Sequence, residues 1–535
     1  MKLRTGIFFA ILLVPAMLFA AGAAYLPAAV TPPEPPREFR GAWLVTLAVT
    51  NVDWPSKPGL SSAQQQAELT ALLDRAVELK LNAVLFQIRP MADALYASPI
   101  EPWSEFLTGI MGQAPKPFYD PLAFAIAEAH KRGLELHAWM NPFRARHSIS
   151  KSPIAANHVA RTRPELVRNY DNLLWIDPGE PAARDYVLSV VMDVVRRYDV
   201  DGVVFDDYFY PYPVEDANNR VMDFTDDASW QKYGLRSGMT RGDWRRANVN
   251  DFVLRVSQSI KAAKPWVKFG ISPFGIWRPG YPRQIKGLDA YTSLYADSRL
   301  WFASGWLDYL APQLYWPVDS PEQSFPVLLN WWSAQNAKGR GLWPALDATA
   351  VGGKFSADEI TRQIQITRRQ AGAGGEIFYH LRNLSQNPVL LQTLRAAYTQ
   401  PVLVPASPWL ASAPTNRPGL SAVEGNRSHY YRLTASWMAP GEPAWKWVLQ
   451  FRGTNGVWTT EILPAGQTTR TFENEMPEII SVRAVNRLGN LGPPAELQKT
   501  MPPAPTSTLT PAPPPTPPQK PAPKIRRMGK QVIYE

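Results

Sequence analysis

Asp206 and Asp207 stand side by side at the end of Gly202-Val203-Val204-Phe205, a run too apolar to need two carboxylates for packing. Carboxyl pairs carry general acid–base and nucleophilic work, above all at glycosidic bonds. Adjacent carboxylates also raise one another's proton affinity, which can keep one of them protonated near neutrality as an acid. Two schemes are open. In a retaining displacement one aspartate is the nucleophile and a second carboxyl, about 5–5.5 Å away, is the acid/base; Asp206 with Asp347 could serve. In a substrate-assisted displacement the sugar's own 2-acetamido oxygen attacks the anomeric carbon, Asp206 orients the amide N–H, and Asp207 protonates the leaving oxygen. The pair of residues by itself is compatible with either scheme. Side chains alternate along a strand, so a strand that stays extended aims one aspartate into the site, and the other must sit in the loop or turn back, as onto a helix N-terminus.

Polar residues gather at the ends of the other apolar runs as well: Asn51 and Asp53, Gln87 and Arg89, His137, Trp139 and Asn141, Ser272, Gln313 and Tyr315, Asp347, and His380. A purely structural sheet has no need of so many. Among the 20 tryptophans, Trp139, Trp277 and Trp316 lie beside such ends, as do Tyr208 and Tyr315. Flat rings suit the C–H faces of pyranoses, while Arg89, Asn141 and Gln313 suit hydroxyls; His137 and His380 complete the expected substrate contacts. Trp331-Trp332 fits helix packing instead. A metal-dependent hydrolase would draw on His137 and His380, but six histidines without H-x-x-x-H or paired-carboxylate spacing argue against a metal, and no cofactor is expected. Cysteine is absent, which removes thiol nucleophiles, Cys-ligated zinc and disulfides.

The elements that must position these groups alternate between strand and helix patterns. Strand candidates fall at 41–46, 83–89, 135–141, 202–207, 268–273, 309–315, 342–347 and 376–380, with helical spacing such as Leu69, Leu72, Leu73, Ala76 and Val77 between them. Eight βα units close a TIM-type (β/α)8 barrel, whose catalytic groups lie at the C-terminal strand ends. The expected fold is α/β: a barrel over 37–400, able to fold alone, then a small all-β module over 401–500. Lys2 and Arg4, the apolar run Ile7 to Ala21 and the small-residue site Ala21-Gly22-Ala23 read as a signal peptide over 1–23, the alternative being an uncleaved membrane anchor. Residues 24–36 read as a linker. Residues 501–535 read as a Pro-rich, disordered basic tail. The net charge of +10 has no basic helix or nucleic-acid module with it, so nucleic acid is not an expected partner; weak attraction of the tail to an acidic surface is.

Together these stretches resemble a family. Phe39-Arg40-Gly41-Ala42-Trp43, Phe86-Gln87-Ile88-Arg89-Pro90, His137-Ala138-Trp139-Met140-Asn141-Pro142, Asp201-Gly202-Val203-Val204-Phe205-Asp206-Asp207-Tyr208, Pro312-Gln313-Leu314-Tyr315-Trp316 and Phe378-Tyr379-His380 are similar to the glycosyl-hydrolase-like 10 family, in order, across roughly 38–398. The resemblance implies a (β/α)8 glycosidase of the bacterial envelope acting on cell-wall glycans, including peptidoglycan strands stripped of stem peptides. Members of that kind are commonly lipoproteins, and this chain has no cysteine to carry the lipid. The run Val482-Arg483-Ala484-Val485-Asn486-Arg487-Leu488-Gly489 resembles the end of a fibronectin type III domain.

Overall fold

The computed structural model describes residues 25–47, 52–410, 415–427, 430–474 and 476–500, with 519 and 521. The export segment expected at 1–23, Asn51, and nearly all of the tail expected at 501–535 lie outside the described residues.

Eight parallel strands form the barrel: β1 (Phe39–Leu44), β2 (Ala83–Arg89), β3 (Glu135–Met140), β4 (Gly202–Phe205), β5 (Lys268–Ile271), β6 (Tyr309–Leu310), β7 in two pieces (Gly341–Leu342 and Ala345–Asp347) and β8 (Gly375–Tyr379). They pair in chain order, and β8 returns to β1. Pro344 has no N–H to give the ladder and splits β7. Its first piece pairs with β6 and its second with β8, while Ala345 N–H donates to Pro312 O at 2.9 Å and keeps the ring closed. One main helix follows each strand: α1 (Ser62–Glu78), α2 (Pro121–Lys131), α3 (Pro181–Arg197), α4 (Arg241–Ala263), α5 (Ser298–Ala303), α6 (Phe325–Ala334), α7 (Ala357–Arg369) and α8 (Pro388–Ala397). Local chemistry sets their starts. Ser61 and Gln64 form a capping box before α1, and α2, α3, α6 and α8 carry within their first two residues a proline whose missing N–H costs nothing in a first turn. α1 then buries Leu69, Leu73 and Ala76 as a single stripe against the sheet.

The barrel interior is filled in layers by alternate residues of each strand. At the bottom Lys268 pairs with Glu135 at 2.9 Å. Above them Phe39 stacks on Trp343 with ring centroids 3.8 Å apart, and Tyr309 lies 4.5 Å from Trp343. His137 belongs to this same layer. Glycines make room for it: a Cβ at Gly202 would sit 2.6 Å from His137 Nδ1, and one at Gly270 would sit 2.1 Å from the Tyr309 ring. The top layer, where the strands end, carries the candidate site.

Below the barrel lies an antiparallel sandwich. Gly419–Arg427, Tyr430–Met438 and Thr469–Glu473 form one sheet; Lys446–Arg452, Trp458–Pro464, Ile479–Val485 and Ala495–Lys499 form most of the other. Trp437, Trp447, Phe451 and Phe472 fill the space between them. The linker expected at 24–36 is corrected here. Tyr25–Pro27 adds an edge strand to the second sheet, antiparallel to Ala495–Lys499, because burying the Tyr25 ring covers an edge that would otherwise stand open. Beyond it, Glu34 pairs with Arg483 at 2.9 Å and Pro36 O accepts from Leu403 N–H at 2.9 Å. The sandwich meets the barrel at the N-terminal strand ends, where Trp409 donates to Asp308 at 2.8 Å and Arg487 pairs with Asp201 at 3.1 Å. Among the described residues no helix is long and apolar enough to cross a membrane.

Candidate active site

At the opposite end, the strand termini enclose a cavity of about 570 Å³. Asp206 and Asp207 both line it, with Trp43, Gln87, Trp139, Ser272, Gln313, Tyr315, Tyr379 and His380 from the strand ends and Arg144, His147, Tyr208 and Thr349 from the loops. Alternation accounts for Asp206, which follows the inward positions Gly202 and Val204. It does not account for Asp207. β4 ends at Phe205 and the chain turns at once, Phe209 N–H donating to Asp207 O at 3.0 Å, so the second carboxylate swings back into the same cavity.

The two aspartates have unlike surroundings. Asp206 accepts from Trp139 Nε1 at 3.0 Å and from Asn141 Nδ2 at 3.1 and 3.2 Å. Burial pushes its carboxyl up, opposed by the charge of Arg144 and by those donors. Asp207 accepts from the Tyr212 hydroxyl, and burial, then the adjacent Asp206, push its carboxyl up to about 7. The donors to Asp206 favour its ionised form against burial, while Asp207 is poised to hold or release a proton near neutrality. That is the separation an orienting base and a general acid require.

Around the pair, Gln313 donates to Ser272 O at 3.0 Å, and Gln87 Oε1 accepts from the N–H groups of Thr46 and Leu47 at 2.9 and 2.8 Å, fixing the loop after β1. His380 presents its ring to the cavity while its Nδ1 lies 2.7 Å from the fully buried Asp53. Tyr315 and Tyr379 lie 6.0 Å apart on one wall. Trp43 meets Trp139 edge to face at 4.8 Å, giving the floor an aromatic surface.

Six expected site residues fall elsewhere, each for a physical reason. Arg89 is fully buried: a β-bulge between Gln87 and Arg89 pairs it with Met140, whose side chain faces the helices, and there it meets Glu101 through bonds of 2.8 and 2.6 Å. His137 lies in the core layer below, bonded to the Tyr309 hydroxyl at 2.8 Å and to Glu135 at 3.1 Å, and has no face to offer a sugar or metal. Trp277 packs against Tyr291 and Trp331 and donates to Asp297 at 3.1 Å, away from the cavity. Trp316 packs edge-on to Phe274 at 5.5 Å and does not line the cavity either. Asn141 stands behind the wall, reaching the site only through Asp206 and through Arg144, whose backbone N–H it accepts at 2.9 Å. The carboxylate of Asp347 caps the following turn, accepting from Thr349 N–H at 3.0 Å and from its hydroxyl at 2.5 Å; Thr349, not Asp347, reaches the lining.

Residues 38–353 match the glycosyl hydrolase-like 10 family. The chain is 40% identical over 407 residues to glycosyl hydrolase YngK of Bacillus subtilis (strain 168), an alignment covering 73% of this chain and 78% of that protein. With glycosyl hydrolase DigH of Escherichia coli (strain K12) it shares 38% identity over 336 residues, 57% of this chain and 74% of that one. Among solved structures, the glycoside hydrolase domain of PgaB (BpsB) from Bordetella bronchiseptica aligns with a TM-score of 0.44 and 14% identity, over 67% of this chain and 98% of that one. A family match running from β1 to just past β7, with relatives this similar along most of their length, makes the chain a member of the glycosyl hydrolase-like 10 family.

Proposed function

We propose that the protein is an exported glycoside hydrolase that cleaves N-acetylated cell-wall glycans, its natural class being peptidoglycan strands stripped of stem peptides. The asymmetry of Asp206 and Asp207 in one cavity carries this reading. Asp206, anchored by Trp139 and Asn141, orients the 2-acetamido group so that its oxygen attacks the anomeric carbon. Asp207 protonates the leaving oxygen and, as a carboxylate, then draws a proton from the water that opens the cyclised intermediate. Trp43, Tyr315 and Tyr379 supply apolar faces, and Gln313, Tyr208 and His380 supply hydrogen-bonding groups to the sugar. The names of YngK and DigH support hydrolysis of glycosidic bonds. The retaining alternative with Asp347 has less support, because that carboxylate is engaged in capping its own turn.

Export rests on the signal-peptide pattern of the first 23 residues, and the tail's basic residues favour loose association with an acidic wall. The three-stranded and four-stranded sheets at 419–499 support a fibronectin type III-like reading of the second module. The test is mass analysis of amidase-treated peptidoglycan after incubation with the protein. Short N-acetylated saccharides released by wild type and absent with Asp207→Asn are the expected result. Binding with no released product would instead make this a carbohydrate-binding barrel.

A further inference from the structure

Arg144 is a wall residue whose guanidinium makes no salt bridge among the described residues. It opens a short strand, Arg144–Arg146, paired antiparallel with Leu173–Ile176. Its guanidinium lies over the Tyr208 ring at 4.2 Å, and the residue is only 5% exposed. No carboxylate of the described residues lies within 4.0 Å of it, and residues 48–51 contain no acid. The other deeply buried arginines are paired: Arg89 with Glu101 at 2.6 Å and Arg245 with Asp226 at 2.6 Å. A guanidinium does not release its proton, so a desolvated one wants an anion. Asp206 feels its charge but has its oxygens occupied by Trp139 and Asn141. Three residues on, His147 lines the same cavity, and its Nδ1 accepts from Ile149 N–H at 3.2 Å. That bond places the ring proton on Nε2. Burial, then the charge of Arg144, hold the imidazole below its ordinary value, which keeps it a neutral donor.

We propose that Arg144, seconded by His147, binds a carboxylate carried by the sugar. In the glycans of the proposed function, on which this inference rests, that group is the lactyl carboxylate freed when the stem peptide is hydrolysed away. The planar guanidinium fork matches a carboxylate through two parallel hydrogen bonds. While the peptide is attached the same carbon is a neutral amide, which can accept a hydrogen bond but offers Arg144 no charge, and it brings a chain against the wall that Tyr208 lines. Selection for stripped strands then follows from charge and space at one residue.

Two sets of N-acetylmuramic acid-containing oligosaccharides test this, one with free lactyl carboxylates and one with them converted to methylamides. Wild type should turn over the acid form with a kcat/KM about 10–100 times higher, the worth of a charge-assisted hydrogen bond. In Arg144→Gln that ratio should fall to within about threefold of one, whatever common loss both substrates suffer through Asp206, and Arg144→Lys should retain part of the ratio. The affinities of both sets for Asp207→Asn protein, with and without Arg144→Gln, read the same preference without turnover. A preference surviving in Arg144→Gln, or none in wild type that still cleaves both sets, overturns the inference and leaves the proposed function standing. Carboxylate-dependent binding lost in Arg144→Gln, with no glycan cleaved by wild type, supports the inference and sinks the proposed function. Neither turnover nor carboxylate-dependent binding overturns both.

Discussion

The hydroxyl of Tyr212 donates to Oδ2 of Asp207 from the loop that the aspartate itself begins. This bond favours the ionised carboxyl and works against burial and the charge of Asp206, which together bring Asp207 to about 7. An acid with that proton affinity is active below the midpoint, so kcat/KM falls as pH rises through about 7. Tyr212→Phe removes a donor to the charged form and moves this alkaline limb upward by about one pH unit. The pH profile of kcat/KM for the two proteins checks it, and a limb that stays in place would take Asp207 out of the acid's role.

Asp207→Asn should cost about 10²–10⁴-fold in rate on natural glycans, the range for a positioned general acid. The loss should shrink on aryl glycosides, whose leaving groups need little protonation. Asp206→Asn should harm both substrate types alike, because the acetamido group must be oriented whatever leaves. A thiazoline analogue of the cyclised sugar should bind tightly to wild type. Indifference to it, with a fluorinated sugar trapped covalently on Asp206, would establish the retaining scheme.

The same carboxyl couples stability to pH. Its proton affinity in the folded protein lies above the unfolded value of about 4. The folded state therefore binds the proton more tightly, and stability present below pH 4 is lost as pH rises through about 7. Asp207→Asn cannot ionise, so it should melt on the order of 2 °C or more above wild type at pH 8, with a smaller gap at pH 4. Equal gaps at both values would contradict the burial of this group.

How far these residues are legible in the chain depends on what fixes them. Local periodicity reveals the eight strands and the inward parity of Gly202, Val204 and Asp206, and it does so before any contact is known. It leaves the direction of Asp207 open, because parity ends where the strand does. It misplaces Arg89, because a bulge changes the face without leaving a mark in residue type. His137 looks like a strand-end ligand, yet it sits one layer too low, beneath Trp139 on the same strand. Arg144, on a short strand of its own, and His147 and Tyr212 lie in the connections after β3 and β4, where the barrel's period does not apply and only packing brings them to the site. Tyr25–Pro27 is too short and proline-flanked to read as a strand, and only the open edge of Ala495–Lys499 makes it one.

The placement of Arg89 has its own consequence. Arg89 and Glu101 are both fully buried, and Tyr186 donates to the same carboxylate at 3.0 Å. Arg89→Met would strand Glu101 as an unpaired buried charge, at a cost of about 3–5 kcal/mol. Replacing both residues, Arg89→Met with Glu101→Gln, should recover much of that. Denaturant titration of the two variants separates the cases; a single variant as stable as wild type would mean that the pair is not desolvated.

The contact between sandwich and barrel decides whether the barrel stands alone. The N-terminal strand ends expose acids that the sandwich answers: Asp308 to Trp409, Asp201 to Arg487, and Glu135 and Asp201 to the buried Lys446. The joining segment contributes as well, Leu403 O accepting from Glu38 N–H and Gln400 O from Arg40, at 2.9 and 2.8 Å. A fragment spanning 37–400 loses all of these partners except Gln400 and opens Glu135, Lys268 and the Phe39–Trp343 layer toward water. The acids regain water in the fragment, but the lost bonds and the apolar layer left uncovered both destabilise it. The fragment should therefore melt at least about 5 °C below the protein spanning 25–500, more than a few lost surface contacts would cause. Deleting 25–27 alone, which removes one edge strand and the buried Tyr25 ring, should cost less, about 1–3 kcal/mol. Scanning calorimetry of the three proteins orders these effects, and a fragment as stable as the whole would show that the barrel needs no floor.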